Sequence, residues 1–356
     1  MTIRSTARHR KNKQLSWPRL GSRRRWLAML VPVLAVATAV SVVGGVRSAT
    51  AADNPNPTVV VGGDPQGVAV DADGKHVYVA SYADNTVRVI DTATRQVTGN
   101  IRVGANPLGV GVDPDSRHAF VSNFSDNSVS VIDTAAGKVI KNIPVGQNPS
   151  NVTVFLRDHF AFVSNYYGNS LSVIDTRTLI VVGTVPVGSH PDGVAIDPRG
   201  EFAYVANSGS NSVSVVDIHK QKVVRAVLVG RAPQKVAIDP DGKHIYVTNF
   251  GDNSVSVINA PSQLGLNYVQ SLLKLKVNNV IPVGLNPRGL AVDRDNHHAF
   301  VVNVGGDTLS TIDTEKSVVI STAYVGYSPD QVAVASDHTA YVTSRGDGTV
   351  TIIRPS

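Results

Sequence analysis

The sequence contains no cysteine. That excludes disulfides, thiolate metal sites and a cysteine nucleophile, and leaves the fold to packing and hydrogen bonding alone. It is compatible with export all the same, because a domain of this size buries enough surface without covalent staples. Aromatic residues are sparse, at 6% of 356 residues, and methionine and tryptophan occur twice each. Thin, regular aliphatic packing follows, and a hydrophobic content of 42% dominated by valine suits sheet. Acidic residues are missing altogether from residues 1–51, which hold ten of the 33 Lys and Arg. The remaining 23 basic residues face 27 acidic ones, a net −4, so the high overall pI is no sign of nucleic-acid binding.

Residues 1–25 are polar and basic, Trp26 to Val43 is apolar, and Ala49-Thr50-Ala51 follows. A basic n-region, an apolar h-region and an A-x-A site define a cleavable signal peptide over residues 1–51. The competing reading is a retained anchor, since the apolar run approaches the ~20 residues of a membrane span. Pro32, Gly44-Gly45 and the Ala-rich composition oppose it. Ser22-Arg23-Arg24-Arg25-Trp26-Leu27 is similar to the twin-arginine export motif, with Trp in the usual Phe position. Arginine clusters also occur in ordinary signals, so both export routes stay open. Residues 52–57 read as a short polar linker, and the mature protein is expected outside the cytoplasm, secreted or at the cell surface, with no membrane span.

From residue 58 to the C-terminus the chain is a repeat. Copies begin with Val-Gly at Val61, Val103, Val145, Val187, Val229, Val283 and Val325, 42 residues apart except that the fifth holds twelve extra residues. Four positions after each Val comes a Pro, then a short run such as Gly67-Val68-Ala69-Val70. The third residue of that run is small in every copy (Ala69, Gly111, Thr153, Ala195, Ala237, Ala291, Ala333), as an innermost strand near a central axis requires. A second run carries an aromatic residue followed by Val in all seven copies, at Tyr78, Phe120, Phe162, Tyr204, Tyr246, Phe300 and Tyr341. The third run alternates, as in Ser128-Val129-Ser130-Val131-Ile132, and a fourth leads into the next Val-Gly. Four short strands per ~40–45 residues, repeated side by side, predict an all-β fold: a seven-bladed β-propeller of four-stranded antiparallel blades. The seventh copy lacks its fourth strand and Thr58-Val59-Val60 precedes the first copy, so the N-terminal strand is expected to close the ring. The insertion, about residues 260–277, predicts either a short amphipathic helix using Leu266, Val269, Leu272 and Leu273 or an elongated hairpin. In both cases it is expected to protrude from the face of the third-to-fourth-strand loops.

Tyr246-Val-Thr-Asn249, Tyr204-Val-Ala-Asn207 and the third-run phrase Ser-Val-Ser-Val-Ile-Asp-Thr at Ser128–Thr134 closely resemble the YVTN β-propeller repeats of bacterial exported proteins and archaeal surface-layer proteins. The resemblance covers the whole mature chain and implies the fold. It does not fix an activity.

No P-loop, G-x-S-x-G, H-E-x-x-H or strand-following G-x-G-x-x-G occurs, and no cofactor is implied. His76, His118, His244 and His298 share one repeat slot far apart around the ring, so they read as structural rather than metal-binding. The Asp-x-Asp-Gly turns lack the later Glu of a calcium loop. No metal site is expected. The informative positions are those where copies differ at the mouth of the central channel. One residue after the repeated Pro the copies carry Gln66, Leu108, Ser150, Asp192, Gln234, Arg288 and Asp330, and the next carry Gly67, Gly109, Asn151, Gly193, Lys235, Gly289 and Gln331. The loop after the second strand starts with Tyr82, Phe124, Tyr166, Ser208, Phe250, Val304 and Arg345, and His190 is the one histidine on this face. Candidate ligand-binding residues are therefore Gln66, Tyr82, Phe124, Tyr166, His190, Asp192, Lys235, Phe250, Arg288, Asp330 and Arg345. The charged members come from four neighbouring blades and are expected on loop tips that support no core.

Nothing pairs a nucleophile with an oriented base, so no catalytic residue is assigned. The expected function is a monomeric, non-catalytic binding or scaffold module for a protein, glycan or small-molecule ligand. Alternatives are a propeller-housed enzyme of the lactonase or lyase type and, disfavoured by net charge, nucleic-acid binding. N-terminal sequencing of secreted protein is expected to begin at Ala52, whereas an intact segment 26–43 on membrane-bound protein would mark an anchor. Undiminished export after Arg23→Lys with Arg24→Lys would argue against the twin-arginine route.

Overall fold

Valine on both faces of a short strand asks for packing on both sides, and a ring of radial sheets provides it. The computed structural model describes residues 56–155, 159–261, 268–293 and 297–354. The proposed signal peptide and its cleavage site lie outside these residues. The described residues form seven four-stranded antiparallel sheets, the blades of a propeller. Blades 1 to 7 start at innermost strands Pro65–Val70, Pro107–Val112, Pro149–Phe155, Pro191–Ile196, Pro233–Ile238, Pro287–Val292 and Pro329–Val334. Proline opens each of them, where a missing N–H costs no ladder bond.

The second strand is the centre of each blade. Its aromatic residues are all buried, from Tyr78 to Tyr341, and pack in clusters that bridge adjacent blades. At its channel end blades 2 to 6 carry a fully buried Asn: Asn123, Asn165, Asn207, Asn249 and Asn303. Each Nδ2 donates to two hydroxyls of the third strand, as Asn165 does to Ser170 (3.0 Å) and Ser172 (2.9 Å). The Gly of the preceding Val-Gly lies against this amide: a Cβ on Gly146 would stand 2.5 Å from Asn165 Cγ. The Asn of the YVTN phrase and the Val-Gly are thus two halves of one contact. Blades 1 and 7 place Ser81 and Ser344 there instead.

Neighbouring blades are tied by the turn between second and third strands. Asn85 Oδ1 accepts from the backbone N–H of Asn106 in the next blade at 2.8 Å. Asn127, Asn169, Asn211, Asn253 and Asp307 repeat the link to Asn148, His190, Ala232, Asn286 and Ser328 at 2.8–2.9 Å. These turn residues have φ of 48–57°, which Asn and Asp tolerate better than other side chains. The small third residue of the innermost strand is explained by proximity: a Cβ on Gly111 would meet Val152 O at 2.9 Å, and Thr153 uses its Oγ1 to donate to Val194 O at 2.7 Å.

The ring closes as expected. Thr58–Val60 pairs antiparallel with Thr349–Ile353, Val59 opposite Val350, and completes blade 7. Val59 and Val61 join Tyr341, Val350 and Ile352 in one core cluster.

The insertion carries a helix, α1 (Tyr268–Lys274). Leu272 is buried, and so is Leu275 just beyond the helix, both in the cluster of blades 4 and 5 with Phe202 and Ala260, while Leu273 is 64% exposed. The expected apolar face was therefore misplaced at Leu273, and the helix packs against the blades instead of protruding. Leu266 lies outside the described residues.

The shared histidine slot is structural at His76, His118 and His244, whose Nδ1 atoms pair with Asp71 (2.8 Å), Asp113 (3.1 Å) and Asp239 (2.8 Å) in the turn before. Blade 6 differs, since Asp293 pairs with His338 of blade 7 at 2.9 Å.

Removal of residues 53–60 deletes the closing strand. Its few ladder bonds, at ~1 kcal/mol each, and buried Val59, at ~1.5–3 kcal/mol, predict a sharply lower melting temperature. An unchanged melting curve would show that the seam does not hold the ring.

Candidate functional site

Every innermost strand has a register irregularity directly after its opening proline, as between Pro65 and Val68 or Pro149 and Asn151. Such a bulge re-aims side chains. It falls on the two residues where the repeats diverge. The first of them in all seven blades (Gln66, Leu108, Ser150, Asp192, Gln234, Arg288, Asp330) lines one cavity of ≈ 570 Å³ at the channel mouth. The second contributes a side chain only where it is not constrained by the next blade. Gly67 cannot carry a side chain, because a Cβ would stand 2.3 Å from Leu108 O, whereas Asn151, Lys235 and Gln331 reach the cavity.

Of the expected residues, Gln66, Tyr82, Phe124, Tyr166, Asp192, Lys235, Arg288, Asp330 and Arg345 line this cavity. His190 and Phe250 do not. The His190 ring stacks on Tyr166, with centroids 4.9 Å apart and planes at 23°. Phe250 offers its carbonyl to Asn286 Nδ2 at 3.3 Å.

The charged residues differ from expectation in two respects. Asp192, Lys235, Arg288 and Asp330 sit on the innermost strands, not on loop tips, and Asp192 and Asp330 are only 5% and 2% exposed. They are also spent on one another. Lys235 Nζ meets Asp192 Oδ1 at 3.1 Å, and Arg288 Nη1 meets Asp330 Oδ1 at 2.5 Å. Arg345 Nε reaches Asp64 Oδ1 at 2.8 Å and Nη2 reaches Oδ2 at 3.3 Å. With its oxygen turned toward Arg345, the Gln66 amide accepts from Nε at 3.0 Å. Three cations and three carboxylates thus cancel. The field of Asp330, against the opposing cost of burial and with a smaller pull from Asp192, holds the Arg288 guanidinium more firmly protonated than usual.

Blade-to-blade hydroxyl bonds brace the floor of the site. Thr248 Oγ1 donates to Arg288 O at 2.9 Å, Thr343 Oγ1 to Gln66 O at 2.7 Å, and Ser164 Oγ to Asp192 O. The third letter of the YVTN phrase therefore fixes the backbone that carries the site.

Two residues escaped the sequence reading. Asp64 stands where other copies have Asn106, Asn148 or Asn286, and its acidic departure faces Arg345 across the seam. Tyr167 stands in a column otherwise filled by Ala83, Ser125, Gly209, Gly251, Gly305 and Gly346. It packs edge-on against Tyr166 (5.0 Å, 87°) and His190 (5.5 Å, 88°) and touches Phe124 (6.3 Å). A large ring in a small-residue column was the available signal.

Among the described residues, no group of three or more His, Asp or Glu is placed to hold a metal ion, and no helix is long and apolar enough to cross a membrane.

Radial four-stranded blades around a polar mouth define a β-propeller, an architecture suited in general to binding and scaffolding. A family model described as YNCE-like beta-propeller matches residues 153–241, within blades 3 to 5. The fold is similar to that of a solved chain of Kuenenia stuttgartiensis hydrazine synthase, at a TM-score of 0.72 and 23% identity over 83% of this chain and 96% of that one. It is also similar to the Myceliophteria thermophila Cps50 (Swd1) β-propeller domain, at 0.72 and 11% over 84% and 100%. No curated protein matches the sequence. The chain is a seven-bladed β-propeller, and the family match and the structural likeness support its resemblance to YVTN-type repeat proteins.

Asp330→Ala would leave Arg288 in the wall without its principal partner. Urea unfolding is expected to show a loss of about 1–3 kcal/mol, moderated because Arg288 stays partly accessible and Asp192 lies near. Unchanged stability would mean that the pair is not structural.

Proposed function

We propose that this protein is an exported, non-catalytic binding module that takes its ligand at the channel mouth. The observation that carries the reading is the convergence of one side chain from each of seven blades on a single cavity, at positions where the repeats diverge. Its volume lies within the roughly 300–1,000 Å³ of small-ligand sites, and its wall mixes aromatic faces with fixed polar groups. Export rests on the basic, apolar and A-x-A pattern of residues 1–51.

Binding is favoured over catalysis because the charged groups of the wall are held in ion pairs. Among the described residues no wall hydroxyl is hydrogen-bonded to a base; Ser150 Oγ, for instance, meets Ser164 Oγ at 3.0 Å. Nucleic acid is disfavoured by a wall whose charges cancel and by the net −4 of the mature chain.

The test is a library screen of metabolites, peptides and oligosaccharides against the purified protein, repeated with Leu108→Trp and Asn151→Trp. Both substitutions fill the cavity from uncharged positions and disturb no ion pair. A captured ligand is expected to lose binding in both variants while the melting temperature holds. Retained binding would move the site to the outer strands or the opposite face.

A further inference from the structure

The cavity wall is divided by chemistry. Blades 1 to 3 contribute Tyr82, Phe124 and Tyr166 with no charged group, whereas the charges of the wall all come from blades 4 to 7. On the uncharged side the aromatic surface continues out of the cavity. Phe124 and Tyr166, which line it, both touch Tyr167 on the rim, and His190 backs the group. Tyr167 is 55% exposed, yet its ring is held on three sides by other rings. A rigid, exposed aromatic face loses little side-chain freedom on binding and is suited to a ligand with a flat apolar side.

The charged side restricts the ligand further. A net anion would compete with Asp330 for Arg288, and a net cation would compete with Lys235 for Asp192. Either would leave one partner of a buried pair unmatched, which is costly. A hydroxyl group both donates and accepts. Adjacent hydroxyls can therefore donate to a carboxylate and accept from its cationic partner while the pair stays intact. Arg288 Nε, buried and without a partner among the described residues, is an additional donor awaiting an acceptor.

We infer that the channel mouth binds the end of a neutral oligosaccharide. The terminal sugar lies in the cavity, its C–H face toward Tyr166 and its hydroxyls toward the Asp192–Lys235 and Arg288–Asp330 pairs. The next sugar lies over Tyr167 at the rim. This inference rests on the channel-mouth reading and narrows it to one ligand class.

A printed array of neutral and acidic oligosaccharides, followed by calorimetric titration of the best neutral binder, tests it. Neutral oligosaccharides of two or more rings are expected to bind, with an affinity that does not change with salt. Tyr167→Ala is expected to weaken binding about tenfold with an unchanged melting temperature, and Tyr167→Phe to restore it. Leu108→Trp should abolish it. Binding confined to acidic glycans and weakened by salt would overturn the inference, and so would failure of every neutral oligosaccharide. If a peptide or metabolite binds instead and Leu108→Trp abolishes that binding, the glycan assignment falls and the channel-mouth site stands. If a neutral oligosaccharide binds regardless of both Leu108→Trp and Tyr167→Ala, both readings fall.

Discussion

The hydrogen bond that the second turn of a blade accepts from the backbone N–H of the next blade, made at six of the seven junctions, is the constraint on which the rest of the structure depends. It fixes the residue directly before the repeated proline, and so the start of the innermost strand in blades 2 to 7. In those blades the bulge after that proline, the side chain it turns into the mouth, and the hydroxyl bonds beneath inherit its geometry. The donor residue and the turn residue both adopt left-handed backbone, as at Asn106 and Asn85. Short polar side chains dominate these positions because they tolerate that conformation and can bond locally.

Six junctions use this link, and the seventh does not. Gly348 stands where the turn Asn belongs, and its carbonyl accepts from Val61 and Gly62 N–H at 2.8 and 2.9 Å. The same junction has Ser81 and Ser344 in place of the buried Asn and carries the Arg345–Asp64 pair. A seam made from the two ends of the repeat array has thus replaced a side-chain link by strand pairing and an ion pair. The replacement explains why the charge of Arg345, which looks free in the sequence, belongs to architecture as much as to the mouth.

The fold was legible because it is written seven times. A single Tyr-Val-Thr-Asn phrase says little, but aromatic residues at one column in all copies, with small residues at another, specify both the blade and its inner edge. The site was legible as columns and illegible as contacts. Arg288 and Asp330 occupy the same column of adjacent blades, and Lys235 stands one place past the column of Asp192. Counting one repeat along would have matched their opposite signs. Phe250 shares a column with the cavity residues Tyr82, Phe124, Tyr166 and Arg345, yet the wall is not seven-fold symmetric and Phe250 does not line it, while the His190 ring is taken up by Tyr166. Leu273 failed for a different reason: seven residues of helix give too little periodicity to distinguish the buried side from the exposed one, and Leu275, just beyond the helix, took its place.

The closing strand has a consequence for how the molecule comes into being. Blades 1 to 6 each consist of consecutive strands and can form as the chain emerges from the ribosome. Blade 7 cannot, because its outer strand is the first strand of the propeller to be made and its partner is the last. Until the last strand pairs with the first, the innermost strands of an open arc have no opposite side to shield them. Completion is therefore a single late event that converts a curved stack with two exposed ends into a ring with none, and any pause before Thr349–Ile353 is reached prolongs the stage at which two such arcs can join to each other instead of to themselves.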